Sequence, residues 1–152
     1  MKTENFMDKY STPEEFIRAE ILANRGTKNI ADKAVLIWHL QQASDEDRDY
    51  SSLTKAELFD RLVALLGEKA YTLYPVGVSS LSFQLKFGIG HKDVLKMAKA
   101  GFITATGETE FRMYGKTCYA KTYSPFEYFR LTPEEVHAWL NANTRRPKPT
   151  SA

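Results

Sequence analysis

The apolar positions in residues 79–123 follow two short helical patterns and then a pair of strands. The first helical pattern contains Leu81, Phe83, Leu85 and Phe87. Ser80 can cap this helix and Gly88 can end it. The second pattern begins near Gly90 and ends at Gly101. Two helices joined by so short a glycine-containing turn predict a helix-turn-helix.

The second helix, residues 91–100, has one basic and one apolar side. At about 100° per residue, Val94 and Met97 gather on one side of the helix. Lys92, Lys96 and Lys99 gather on the other side. His91 lies at the helix start, where a recognition helix meets base edges. The pattern therefore predicts a DNA-reading helix, with a solvated lysine face as the alternative.

Residues 110–121 alternate as a β-hairpin, the predicted wing. A two-residue type II′ loop at Gly115 and Lys116 sets its register. The predicted pairs are Tyr114 with Thr117, Met113 with Cys118, Arg112 with Tyr119, Phe111 with Ala120 and Glu110 with Lys121. Phe111, Met113, Cys118 and Ala120 then share an apolar face. The opposite face is polar and aromatic, and we expect Cys118 to be a buried structural thiol.

Capping signals mark the helices outside this region. Thr12 caps a first helix that should end near Asn24, and Asn29 caps a second one that is apolar nearly all round and should be buried. A capping box at Thr54 and Glu57 opens a third helix. The expected fold class is mostly α with a small antiparallel β-hairpin (α+β), a winged helix-turn-helix preceded by two N-terminal helices. The predicted divisions are a helical segment (1–43), an acidic linker (44–52), a winged-helix domain (53–143) and a disordered basic tail (144–152).

A family resemblance accompanies these patterns. The helix-turn-helix signature is carried by Phe83, Phe87, Gly88, Ile89, Val94 and Met97, although Gln84 stands where a small Ala is usual. The continuation KAGFI, the strand pair around EFRMYGK and the segment LTPEEVHAWL complete the pattern. Roughly residues 79–143 thus resemble the winged-helix domains of excisionases and MerR-like regulators. The resemblance implies a winged fold and DNA binding.

Composition limits the class of protein. The chain has 152 residues, enough for a proper core, and its single cysteine, Cys118, excludes an intramolecular disulfide. With no visible signal peptide or long apolar run, we expect a soluble cytoplasmic protein that contacts no membrane. Residues 1–60 hold 8 Lys or Arg against 12 Asp or Glu, whereas residues 61–152 hold 13 against 7. This asymmetry favours a polyanion-facing C-terminal part.

The sequence gives little support for a catalytic site or a metal site. His39, His91 and His137 lie far apart in the sequence without metal-ligand spacing, so we expect neither a metal nor a cofactor. Gly88 and Gly90 lack the third glycine of a dinucleotide fingerprint. A nuclease site at Glu108 and Glu110 is disfavoured because Glu110 is expected to pair with Lys121. We therefore expect a protein that is not an enzyme.

Two functional classes remain. The first is a DNA-binding transcription regulator or accessory factor that contacts double-stranded DNA. Its candidate residues are His91, Lys92, Lys96, Lys99, Arg112 and Lys116. The second is a protein-binding module on a winged scaffold, for example a phage or mobile-element inhibitor such as an anti-CRISPR. A homodimer through the N-terminal helices is compatible with either class.

Overall fold

The computed structural model describes residues 4–23, 31–44 and 48–143, which fall into two compact units. One unit is Tyr10–Gly77, and the other combines Met1–Lys9 with Val78–Ala152. This division differs from the predicted one, because the third helix groups with the first two and the N-terminal residues group with the helix-turn-helix. Part of the predicted linker, residues 45–47, and the predicted disordered tail lie outside the described residues.

The unit Tyr10–Gly77 contains three α-helices. They are α1 (Pro13–Leu22), α2 (Lys33–Ala43) and α3 (Lys55–Leu66), and a 3₁₀ helix, Gly67–Thr72, follows. The predicted start of α1 is confirmed, since the Thr12 hydroxyl accepts from the backbone N–H of Glu15. The capping box at α3 is also confirmed. Asn29 lies outside the described residues, and the observed cap of α2 is Asp32, whose carboxylate accepts from the N–H of Val35.

The core of this unit is formed by one side of each helix. Its buried residues include Phe16, Ile17, Ile21, Leu36, Leu40, Leu58, Phe59 and Leu62. The prediction that α2 is buried all round is wrong, because Trp38 is 55% exposed and Val35 is 39% exposed. Helix α2 packs chiefly against α3 and buries Leu36 and Leu40. Val35 and Trp38 therefore face water, and Ile37 is half-buried.

The second unit contains the helix-turn-helix. Its elements are β1 (Val78–Ser79), α4 (Ser80–Phe87), α5 (His91–Lys99), β2 (Ala105–Met113), β3 (Lys116–Tyr123), α6 (Pro125–Arg130) and α7 (Pro133–Asn143). Gly88 ends α4 with φ 64°, a left-handed conformation in which glycine has no Cβ penalty. The sheet is antiparallel with the order β1-β3-β2. The α+β class and the predicted order of helix, turn, helix and hairpin are confirmed.

An aromatic cluster holds α4 against β3 and α6. The ring of Phe83 lies 5.7 Å from Tyr123 and 5.2 Å from Tyr128, measured between centroids. Phe87 lies 6.0 Å from Tyr128. All four side chains are buried, and such pairs add to the free energy of burial when the rings meet edge to face. The cluster fixes the position of α4, against which α5 is placed.

The register of the hairpin differs from the predicted one. The two-residue loop is Tyr114 and Gly115, with φ 53° and 74°, so Met113 pairs with Lys116. Arg112 now faces Thr117, and Glu108 rather than Glu110 faces Lys121. Two positive φ values are the signature of a type I′ turn, whose twist matches that of the strands. Because the register moves by two residues, the division of side chains between the two faces is unchanged.

The outer part of the hairpin is exposed on both faces. Met113 is 51% exposed, and Cys118 is half-buried rather than the buried thiol that we expected. Strand β1 has only two residues and pairs only with Thr122 and Tyr123 of β3. No further described strand pairs with β3 beyond this point, so the hairpin projects into solvent as a wing.

Candidate nucleic-acid interface

Helix α5 has the two faces that its sequence predicts. Val94 and Met97 are fully buried. Lys92 and Lys99 are exposed, and Lys96 is half-buried. Among the described residues, none of these three lysines forms a salt bridge. Their charge is therefore directed toward solvent, on the side of the helix opposite the core.

The first turn of α5 is occupied by one of its own carboxylates. The Asp93 side chain accepts a hydrogen bond from the backbone N–H of Gly90 at 3.0 Å. A carboxylate at this end interacts favourably with the helix dipole and satisfies one of the free backbone donors. The positive potential of α5 therefore comes from its lysine side chains and not from an open helix N-terminus.

His91 is connected to α4 by a chain of hydrogen bonds. Its Nδ1 lies 2.8 Å from the hydroxyl oxygen of Ser80, and the amide Nε2 of Gln84 donates to the same oxygen at 3.0 Å. The departure of Gln84 from the helix-turn-helix pattern has a structural reason, because an alanine could not make this bond. The predicted role of Ser80 as the cap of α4 is wrong. Ser79 is the cap, and its hydroxyl accepts from the N–H of Ser82.

Arg112 and Lys116 flank the loop at the tip of the wing. Arg112 donates from Nη2 to the carbonyl oxygen of Gly115 at 3.1 Å, which closes the turn. Both side chains are exposed. The structure thus forms two groups from the predicted site residues. His91 and the three lysines share α5, whereas Arg112 and Lys116 share the wing tip.

Tyr114 is a feature of the wing that we did not predict to be functional. It is 95% exposed and adopts φ 53°. A bulky residue with positive φ is strained, and glycine, asparagine and aspartate are preferred at this position of a type I′ turn. In the sequence, the only indication that Tyr114 has a special role is that a tyrosine stands where a hairpin turn would favour asparagine. The wing therefore presents an aromatic ring at its apex at some cost in backbone energy.

Lys86 and His137 are basic residues whose side chains bind backbone carbonyl oxygens. The Lys86 ammonium donates to the carbonyl oxygen of Tyr128 and lies 4.5 Å from the centroid of the Tyr128 ring. Burial lowers the pKa of Lys86. The His137 Nε2 donates to the carbonyl oxygen of Phe87 at 2.6 Å, at the C-terminus of α4. Both residues connect α4 to its neighbours, so they are not candidates for contacts with a polyanion.

The third histidine also has a protein partner. His39 Nδ1 lies 2.9 Å from the hydroxyl oxygen of Tyr74 within the unit Tyr10–Gly77. Within the described ranges, no group of three or more His, Cys, Asp or Glu side chains is placed to hold a metal ion.

Formal charge is segregated between the two units. Tyr10–Gly77 contains 8 Lys or Arg against 11 Asp or Glu, a charge of −3. Met1–Lys9 with Val78–Ala152 contains 13 against 8, a charge of +5. Four of its 13 basic residues, Lys2, Arg145, Arg146 and Lys148, lie outside the described residues, so the described part of this unit has 9 Lys or Arg against 8 Asp or Glu.

Comparison with protein-family models, with curated proteins and with solved structures found no match to this chain. The resemblance to excisionases and MerR-like regulators stays a prediction from the residues. In the parts of the chain that the structure describes, no helix combines the length and apolar character needed to cross a bilayer.

Proposed function

We propose that this protein binds double-stranded DNA, as a transcription regulator or accessory factor, with α5 as its recognition helix and the β2–β3 hairpin as its wing. The observation that supports this most strongly is the lysine face of α5. Lys92, Lys96 and Lys99 lie opposite the buried Val94 and Met97, in a helix that follows the turn of a helix-turn-helix. The alternative, a solvated lysine face, gives no reason for the three lysines to lie on the helix that follows the turn.

The roles of the site residues follow from their chemistry. Lysine ammonium groups bind phosphates without reading sequence, and they hold the protein on the duplex. Arg112 and Lys116 have the same role at the wing tip. His91, at the start of α5, has the proposed role of contacting base edges in the major groove. The proposed action is binding, with no catalytic step.

The direct test is binding to random-sequence duplex DNA at low salt. Each phosphate neutralised by a lysine or arginine releases counterions. With most of the five basic residues engaged, the logarithm of the binding constant should fall with the logarithm of salt concentration with a slope of roughly −3 to −5. Absence of binding to any duplex at low salt would reject the proposal.

Three variants separate the DNA-facing surface from the core. Lys96→Glu should keep the free energy of unfolding within about 0.5 kcal/mol, because its ammonium group makes no described salt bridge. Its DNA affinity should fall about tenfold or more, because repulsion replaces attraction at the phosphates. Lys69→Glu, an exposed reversal in the acidic unit, is the matched control for net charge. Val94→Asp should instead unfold the unit, since it buries an unpaired charge. Equal loss of affinity in Lys96→Glu and Lys69→Glu would mean that α5 is not the reader.

A second candidate function is a protein-binding module, such as a phage or mobile-element inhibitor of the anti-CRISPR kind. The observation that favours it is the apolar surface of the wing, where Tyr114 is 95%, Tyr119 63% and Met113 51% exposed. Tyrosines are enriched at protein interfaces. Under this candidate, Tyr114→Ala with Tyr119→Ala abolishes function and Lys96→Glu does not. Under the DNA-binding proposal, Lys96→Glu impairs function in line with its loss of DNA affinity.

The N-terminal helices offer one further partner surface. Trp38 and Val35 project from α2 into solvent, and Trp38 is 55% exposed. A homodimer through α2 would give the protein two DNA-reading helices for two half-sites. Sedimentation of the protein and of Trp38→Ala at several concentrations tests this dimer.

A further inference from the structure

The chain of hydrogen bonds between α4 and α5 begins at a donor on α4. The amide nitrogen Nε2 of Gln84 can only donate, and it donates to the Ser80 hydroxyl oxygen at 3.0 Å. Ser80 has a single hydroxyl hydrogen, which remains available. His91 Nδ1 lies 2.8 Å from the Ser80 oxygen. Because a hydroxyl oxygen has two acceptor sites, two arrangements fit this distance: Nδ1 accepts the Ser80 hydrogen, or it donates its own. A neutral imidazole that accepts at Nδ1 carries its own hydrogen on Nε2.

The positions of the three residues determine which nitrogen of the His91 ring can reach a partner. Gln84 and Ser80 are half-buried, while His91 is exposed at the start of α5. The Ser80 hydroxyl takes no part in capping α4, since the cap is Ser79. The ring therefore has one nitrogen bound to the protein and the other, Nε2, available to a partner of α5.

We propose that Gln84 and Ser80 are positioning residues that hold His91 in the Nε2–H form, so that it donates a hydrogen bond to a guanine in the major groove. This inference rests on the proposed DNA binding for the identity of the partner. Guanine offers two acceptors, N7 and O6, at its major-groove edge, whereas cytosine offers the N4 donor. A fixed donor on His91 thus favours guanine over cytosine at one position of the bound sequence.

Gln84→Glu tests the relay with an isosteric change. A carboxylate can only accept, so Ser80 must turn its hydrogen toward residue 84 and accept from His91 Nδ1. The hydrogen then leaves Nε2, which becomes an acceptor. The variant should therefore reverse the state of His91 without removing any side chain from the chain of bonds.

The first measurement needs no DNA. Nitrogen-15 NMR of the imidazole ring, at about pH 8.5 and so above the usual histidine range, distinguishes a hydrogen on Nε2 from one on Nδ1. We expect Nε2–H in the wild type, Nδ1–H in Gln84→Glu and a mixture in Ser80→Ala. Ser79→Ala is the matched control, since it removes the cap of α4 and should leave the His91 spectrum unchanged. Nδ1–H in the wild type, or no response to Gln84→Glu, would overturn the relay.

The second measurement is base preference at the same pH, from binding to a randomised duplex. The wild type should favour guanine over cytosine at one position by about tenfold, the effect of one matched against one mismatched hydrogen bond. Gln84→Glu should reduce or reverse this preference at that position only. A wild type that binds DNA without such a position overturns the reading role of His91. A wild type that binds no DNA rejects the base preference together with the proposed function, and NMR still decides the relay.

Discussion

Asn5 joins the N-terminus of the chain to the helix-turn-helix, and its loss should weaken the unit that contains α5. The buried side chain donates from Nδ2 to the carbonyl oxygen of Ser82 at 3.2 Å and to the hydroxyl of Tyr128 at 2.9 Å. Its Oδ1 accepts from the backbone N–H of Met7 at 3.1 Å. Asn5→Ala leaves three buried groups without this partner. At about 1 kcal/mol for each bond, with an added penalty for unpaired groups, the free energy of unfolding should fall by about 2–4 kcal/mol.

Urea unfolding at 25 °C measures this loss. Glu4→Ala changes an exposed neighbour and should stay within about 0.5 kcal/mol of the wild type. Combining Asn5→Ala with Tyr128→Phe should show a coupling of about 1 kcal/mol, because the two side chains share one hydrogen bond. If Asn5→Ala is as stable as Glu4→Ala, residues 4–9 do not belong to the cooperative unit of the helix-turn-helix.

Two further predictions concern tyrosines. Tyr114→Asn should raise the free energy of unfolding by about 0.5–1 kcal/mol, because asparagine tolerates the φ of 53° that the loop requires; a less stable variant in thermal unfolding would contradict this. Burial raises the pKa of Tyr128 to about 12 and that of Tyr74 to about 12. Both buried tyrosines favour the neutral form, so their contribution to stability is complete below pH 10 and is lost as the pH rises through 12. Urea midpoints from pH 9 to 12 should fall less steeply for Tyr128→Phe than for the wild type.

Local signals in the sequence predicted the elements well. Thr12, Thr54 and Gly88 act through atoms within a few residues of themselves, so their effect on helix ends is visible without a tertiary structure. The phase of α5 was predictable for the same reason. The helical period alone puts Lys96 and Val94 on different sides of the helix. Val94 is fully buried and Lys96 is half-buried.

Features that depend on distant partners, or that go against a local turn preference, were not predictable. The hairpin register is set by whether Tyr114 accepts a positive φ, and a β-turn preference gave the wrong loop. Helix α2 looked buried because its apolar residues surround it, although only one side meets α3. Asn5 reaches Tyr128 across most of the sequence, and no pattern near Asn5 indicates this contact.

The positive residues of the helix-turn-helix unit illustrate why a role must be derived from contacts and not from residue type. Lys86 and Lys96 lie ten positions apart, yet Lys86 binds a backbone carbonyl beside aromatic rings, whereas Lys96 makes no described salt bridge. Lys86 and His137 hold the C-terminal end of α4 through carbonyl groups. Because α4 carries Ser80 and Gln84, which in turn contact His91, Lys86 and His137 help to position α4 relative to α5. If the protein binds DNA as proposed, Lys86→Ala should therefore weaken binding through the position of α5, whereas Lys96→Glu should weaken it through charge; the two variants are compared by their affinity for the same duplex.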